Sequence, residues 1–126
     1  MITIFTPTYN RAYLLERLYL SLIKQTNHSF IWLVVDDGST DNTKELIDQY
    51  INEKKIRIEY YYQINKGKMQ AHNVGVEKCK TELFLCVDSD DYLIDTAVDI
   101  LIKQWQENDP VSYTHLRAHE TLSDDV

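Results

Sequence analysis

The sequence predicts an α/β fold with a mainly parallel sheet flanked by helices. Short apolar runs alternate along the chain with stretches whose apolar residues recur at helical spacing. Three of those runs end in polar clusters, Thr6-Pro7-Thr8-Tyr9-Asn10, Asp36-Asp37-Gly38-Ser39-Thr40-Asp41 and Asp88-Ser89-Asp90-Asp91. Strand–helix alternation is most economically built as parallel strands with right-handed crossovers. The three clusters then meet at the carboxyl edge of one sheet, the place where open α/β folds bind nucleotides.

Each element follows from local pattern. Ile2 to Phe5 is a short buried strand, and Pro7, which has no backbone donor, is expected to end its pairing. Asn10 is placed to cap a helix carrying Leu14, Leu15, Leu18 and Leu22 on one stripe, with Asn27-His28-Ser29 as the loop beyond it. Phe30 to Val35 is the second strand, and Asp36 to Asn42 supplies capping side chains for a helix marked by Leu46, Ile47, Tyr50 and Ile51. Ile56, Ile58, Tyr60 and Tyr62 alternate as in a third strand. Between Asn65 and Cys79, the small residues Ala71 and Gly75 with Val74 suit a closely packed third helix. Leu83 to Val87 is apolar without alternation, the pattern of a strand covered on both faces. Asp95 is placed to cap a fourth helix with Val98, Leu101, Ile102 and Trp105 inward.

A chain of 126 residues that is 44% hydrophobic supplies one core and no second domain. Its net charge of -7, from 13 basic and 20 acidic residues, excludes a groove that neutralises nucleic-acid phosphates. An acidic protein that takes a phosphorylated ligand is expected to recruit a metal ion. Cys79 and Cys86 lack metal or redox spacing and read as reduced, buried thiols. The start Met1-Ile2-Thr3-Ile4-Phe5 has no basic leader, and no apolar stretch approaches the ~20 residues that cross a bilayer. A cytoplasmic setting is expected, with peripheral membrane contact left open.

The clusters also carry chemistry. Asp88 and Asp90 lie two positions apart, so an extended backbone would turn both carboxylates toward one hard cation. Such an ion bridges a diphosphate and stabilises it as a leaving group, although acid pairs of this kind also cap helices and solvate loops. The Asp36–Asp41 stretch serves as turn and N-cap, with Gly38 supplying the permissive backbone. A carboxylate there also accepts the imide N–H of a uracil-like base. Tyr9 offers a ring for stacking, or is a half-buried packing aromatic.

At this point the residues resemble the family 2 glycosyltransferases of the GT-A fold. The segments Thr6-Pro7-Thr8-Tyr9-Asn10-Arg11, Gln25-Thr26, Val35 to Asp41, Asn65-Lys66-Gly67-Lys68 with Ala71-His72-Asn73-Val74-Gly75, and Val87 to Asp91 occur in the family's order. The resemblance covers residues 1 to about 107 and implies a Rossmann-like nucleotide-sugar-binding half domain, bounded here as 1–110. It implies an inverting enzyme that transfers a sugar from a nucleotide diphosphate donor, favouring uridine diphosphate, to a hydroxyl of a saccharide or lipid-linked acceptor. Synthesis of cell-surface polysaccharide at the inner face of the cytoplasmic membrane is the implied setting. Residue by residue, Thr6, Pro7 and Tyr9 would border the nucleoside, and Asp36 or Asp37 would hold the base. Lys68 would lie near the base or diphosphate, and Asp88 would face the ribose or sugar. Asp90, with Asp88, would ligate a manganese or magnesium ion. Where many relatives carry Arg, this chain has His72, a hydrogen-bond donor when neutral.

The family's general base lies beyond the Asp-x-Asp, in an acceptor half that the remaining residues do not resemble. Glu107, Asp109, Glu120, Asp124 and Asp125 are acids without a matching segment, so no base is assigned and the fragment is expected to transfer no sugar. From Ser112 to Thr121 the chain resembles a translated sequencing adapter, and 111–126 is read as a non-native or disordered tail of a truncated chain. His115, His119 and Glu120 imitate a zinc site only partly, without His-Glu-x-x-His. The alternative function is a non-catalytic nucleotide-binding module. An aspartate-nucleophile phosphatase is disfavoured because Tyr92 stands where a small residue belongs.

Overall fold

The apolar runs that begin at Ile2 and Phe30 become the two central strands. A computed structural model describes residues 1–107 together with 117 and 118; in it β1 is Ile2–Thr8 and β2 is Phe30–Asp36. They pair in parallel from Ile2 opposite Phe30 to Thr8 opposite Asp36. β3 (Ile58–Tyr62) lies parallel on the far side of β2, and β4 (Leu83–Cys86) lies parallel beside β1, giving the order β3-β2-β1-β4. Helices α1 (Ala12–Ile23), α2 (Thr43–Glu53), α3 (Lys68–Lys78) and α4 (Ala97–Gln106) connect or follow these strands. The predicted parallel α/β architecture is the one observed.

Side-chain alternation divides the core between the two faces of the sheet. Ile2, Ile4, Trp32 and Val34 face Leu15, Leu18 and Leu22 of α1, Ile47 and Tyr50 of α2, and Val98 of α4. Phe5, Leu33 and Val35 face the opposite way, onto Ala71 of α3. Gly75 lets that helix approach, since a Cβ there would lie 2.4 Å from the Phe5 ring.

Several local expectations change. β1 continues through Pro7, because its amides alternate between neighbours: Ile2 N–H donates to Ser29 O on the β2 side, whereas Phe5 O accepts from Val87 N–H on the β4 side. The donor that Pro7 lacks would face β4 beyond Phe5–Cys86, the last pair of that ladder. β4 is half-buried rather than covered on both faces, being one of the two edge strands of the described sheet. Asn10 does not cap α1; Asp41 Oδ2 accepts the Ala12 N–H at 3.2 Å instead. Asp95 does not cap α4 either, for Gln25 Oε1 accepts the Val98 N–H at 3.0 Å across 73 residues. Trp105, expected inside, is 51% exposed and donates its indole N–H to Glu82.

Tyr92–Leu93 (β5) pairs antiparallel with Arg117–Ala118 (β6) in a separate two-stranded ladder. The remainder of the 111–126 tail, and with it Asp109, His115, His119, Glu120, Asp124 and Asp125, lies outside the described residues. Among the described residues, no helix is long and apolar enough to cross a membrane.

Candidate active site

The carboxyl ends of β1 and β2 and the segment after β4 open onto one cleft of about 230 Å³. Pro7, Thr8, Tyr9 and Arg11 line it from the end of β1, Asp37 from the end of β2, and Asp88, Ser89 and Asp90 from the segment after β4. Lys68 and Ala71 close the remaining side from the first turn of α3. Tyr9 is 44% exposed and lies outside both core clusters. Of the residues singled out from sequence, Pro7, Tyr9, Asp37, Lys68, Asp88 and Asp90 are brought together here.

Thr6 and Asp36 are not. The Thr6 hydroxyl, fully buried, donates to Val87 O at 2.8 Å and accepts the Trp32 indole N–H at 2.9 Å. It ties β1 to the segment leading into Asp88. Asp36, 1% exposed, accepts from Ser39 N–H at 2.9 Å and from Tyr60 OH at 2.5 Å. Burial, followed by this carboxylate, pushes the Tyr60 phenol far above its ordinary range.

Asp37 lines the cleft and organises the loop opposite. Its Oδ1 accepts from Gln63 Nε2 at 2.8 Å and Lys66 N–H at 2.7 Å, and its Oδ2 accepts from Gly67 N–H at 3.0 Å. Gly67 immediately precedes α3, so the same carboxylate sets where Lys68 begins the helix. Positive φ at Gly38 (87°) and at Gly67 (98°) makes both reversals, and a Cβ on Gly38 would lie 2.7 Å from Asn65 N.

The Asp88–Asp91 segment is a turn rather than the extended backbone considered for Asp88 and Asp90, closed by Asp91 N–H donating to Asp88 O at 3.0 Å. Turning brings in a third acid: carboxylate oxygens of Asp88, Asp90 and Asp91 lie within 4.8 Å of one another. Octahedral magnesium holds oxygens at about 2.1 Å, hence ~3–4 Å apart, and keeps positions for phosphate oxygens. Three hard oxygen donors of graded exposure, with Asp91 buried and Asp90 exposed, fit such an ion. Burial first, then Asp88, push the Cys86 thiol up to about 11, while Lys68 acts in the opposite direction. Carboxylates and the basic Lys68 line the same cleft.

Sequence pattern marks none of Arg11, Thr8, Ser89 and Asp91 individually as a site residue, and marks Ala71 only for helix packing. Ala71 lies three residues after Lys68, the spacing that shares a helix face. The Thr8 hydroxyl is buried with no hydrogen-bond partner among the described residues, which no sequence pattern signals. His72 packs edge-on against Phe5 and Phe84, at 5.5 and 6.0 Å between ring centres, rather than lining the cleft.

Comparison with known proteins bears on the whole arrangement. The profile of Glycosyl transferase family 2 matches residues 3–124. Glycosyltransferase GlyG of Streptococcus pneumoniae is 36% identical over 110 residues, covering 86% of this chain and 36% of that protein. Hyaluronan synthase of Pasteurella multocida is 35% identical over 106 residues, covering 83% of this chain and 11% of that protein. The crystal structure of S. aureus TarS 1–349 in complex with UDP-GlcNAc superposes with a TM-score of 0.78 at 30% identity, covering 84% of this chain and 31% of that one. The chain therefore spans about a third or less of the length of each of these relatives. With the profile matched across nearly its full length, the chain belongs to glycosyl transferase family 2.

Proposed function

We propose that this chain binds the donor of an inverting glycosyl transfer, a uridine diphosphate sugar, together with a divalent cation. The observation that carries the reading is the convergence of Tyr9, Asp37, Lys68, Asp88 and Asp90 on one cleft from distant parts of the chain. Tyr9 stacks on the base. Asp37 accepts its imide N–H in addition to the loop amides it already holds. Lys68, at the amino end of α3 where the helix dipole favours anions, draws the diphosphate. Asp88, Asp90 and Asp91 hold the ion. A manganese or magnesium ion held there would supply neutralisation of the charge that grows on the departing diphosphate.

In the transfer, the acceptor hydroxyl bonds to the anomeric carbon as the bond to the diphosphate oxygen breaks on the opposite face. That geometry inverts the centre. The hydroxyl proton leaves to a base that we do not assign to any residue of this chain. A saccharide or lipid-linked acceptor, and cell-surface polysaccharide synthesis at the cytoplasmic face of the membrane, complete the reading. Likeness to a hyaluronan synthase supports the polysaccharide class.

Calorimetry with uridine diphosphate tests it. Binding is expected to tighten on adding manganese, and Asp90→Ala is expected to abolish that gain. Equal affinity with and without metal removes the role given to Asp90, and no binding under either condition removes the donor site itself.

A further inference from the structure

Arg17 stands outside the cleft and outside every motif that marked the family. It projects from the middle of α1, where its Nη2 donates to the backbone carbonyl of Asp90 at 3.0 Å. Its guanidinium carbon lies 4.7 Å from the centre of the Tyr92 ring. These two contacts bracket the last two carboxylates of the acidic turn, since Asp90 and Asp91 directly precede Tyr92.

The turn needs such support. Three carboxylates within 4.8 Å of one another repel when no cation lies between them, and Asp90, the exposed member, is the one free to swing outward. Beside the Asp91-to-Asp88 bond within the turn, its backbone takes the Arg17 bond at the Asp90 carbonyl from outside. Arginine suits the task because its planar fork donates to a carbonyl while its face stacks on an aromatic ring, and its charge offsets the repulsion at the same time. Losing a group that orients metal ligands from outside typically costs about 10–100-fold in metal affinity.

We propose that Arg17 is a positioning residue that clamps the Asp88–Asp91 turn against α1 and thereby sets the affinity of the site for its divalent cation. The inference rests on the donor-and-cation reading above. It assigns Arg17 no contact with the nucleotide.

The test is titration of uridine diphosphate into the wild type, Arg17→Ala and Arg17→Lys, each with manganese and with chelator, beside a thermal melt. The manganese-dependent gain in affinity is expected to fall about tenfold in Arg17→Ala, the lower range for loss of an outer partner of a metal ligand. Affinity in chelator should change by less than about twofold on the same ground, because Arg17 acts only through the turn. Arg17→Lys, which keeps the charge and a donor, is expected to fall between the two and carries the test should the alanine variant melt early. Full retention of the gain in Arg17→Ala, or equal loss with and without manganese, overturns the clamp while leaving the donor site standing. A wild type with no manganese gain overturns both.

Discussion

Asn10 and Asp41, 31 residues apart, are joined by a bond from the Asp41 N–H to Asn10 Oδ1 at 3.2 Å. The same oxygen accepts the Thr40 N–H at 2.8 Å, and the Asn10 N–H donates to Ser39 Oγ at 2.8 Å. Asp41 returns the favour by capping Ala12. The loop after β1 is thus stitched to the loop after β2, directly beyond Tyr9 on one side and Asp37 on the other.

Removing that stitch tests whether it holds the two nucleoside contacts in place. Asn10 adopts φ 50°, a left-handed conformation that asparagine tolerates and alanine resists. Asn10→Ala loses the two N–H bonds that Oδ1 accepts, and with them the Thr40 hydroxyl bond at 3.5 Å, and adds backbone strain, for an expected destabilisation of about 2–3 kcal/mol in urea unfolding. Uridine diphosphate should bind more weakly as well. Asn10→Gly relieves the strain alone and should recover only part of the stability; an alanine variant as stable as the wild type would show the stitch to be idle.

The two positive-φ glycines separate strain from crowding. Gly67→Ala pays only for its backbone conformation, because nothing lies within 4 Å of the added Cβ. Gly38→Ala bears the same kind of strain and also drives a Cβ to 2.7 Å from Asn65 N, beside the loop that Asp37 holds. Both are expected to destabilise by about 1–3 kcal/mol, with Gly38→Ala the larger. Equal losses, read by chemical denaturation, would mean that the Asn65 segment simply moves aside.

The sheet and the meeting of the clusters were legible because they depend on local signals: apolar runs of strand length, polar ends, and helical spacing between them. Parallel register does the rest, since Thr8 opposite Asp36 places Tyr9 and Asp37 side by side. What escaped was the choice of partner over long range. Local rules assign a helix cap to the residue next door, yet α1 is capped by Asp41 and α4 by Gln25. For the same reason the adjacent Asp36 and Asp37 could not be told apart. Their alternation sends one into the core against Tyr60 and the other onto the cleft. The turn at Asp88–Asp91 was missed because spacing by two was read as extended backbone, and Asp91 went unread as a ligand with it.

Alkaline pH should weaken the fold in a definite window. Burial first, then neighbouring carboxylates, raise the phenols of Tyr19, Tyr50 and Tyr60, Tyr50 to about 12. A raised folded-state pKa contributes stability below the unfolded value, near 10 for tyrosine, and that stability is lost as pH climbs through the folded value. The thermal midpoint should therefore fall from about pH 10 upward. Tyr50 is the informative site because its hydroxyl is buried with no partner among the described residues, while its ring stacks on Tyr19 at 3.6 Å. Tyr50→Phe keeps the stack and discards an unsatisfied group, so it is expected to be neutral or stabilising by up to about 1 kcal/mol at pH 7 and to flatten the alkaline loss. A marked destabilisation at neutral pH would show that the hydroxyl is bonded in solution.

Asp90 and Asp91 should differ in what their removal costs, although both belong to the same trio of carboxylates. Asp90 is exposed and its backbone carbonyl, which Arg17 holds, survives substitution. Asp90→Ala should thus leave unfolding free energy within about 0.5 kcal/mol of wild type while losing the manganese-dependent gain in uridine diphosphate affinity. Asp91 is 4% exposed, and a buried carboxylate is kept only where its surroundings compensate the charge. Replacing it by alanine strands those surroundings, so Asp91→Ala is expected to lose the metal gain and about 2–4 kcal/mol of stability together. Asp91→Asn, which keeps the shape, should restore part of the stability but not the metal response. Should Asp91→Asn respond to manganese like the wild type, Asp91 contributes to the turn alone, and the ion is held by Asp88 and Asp90.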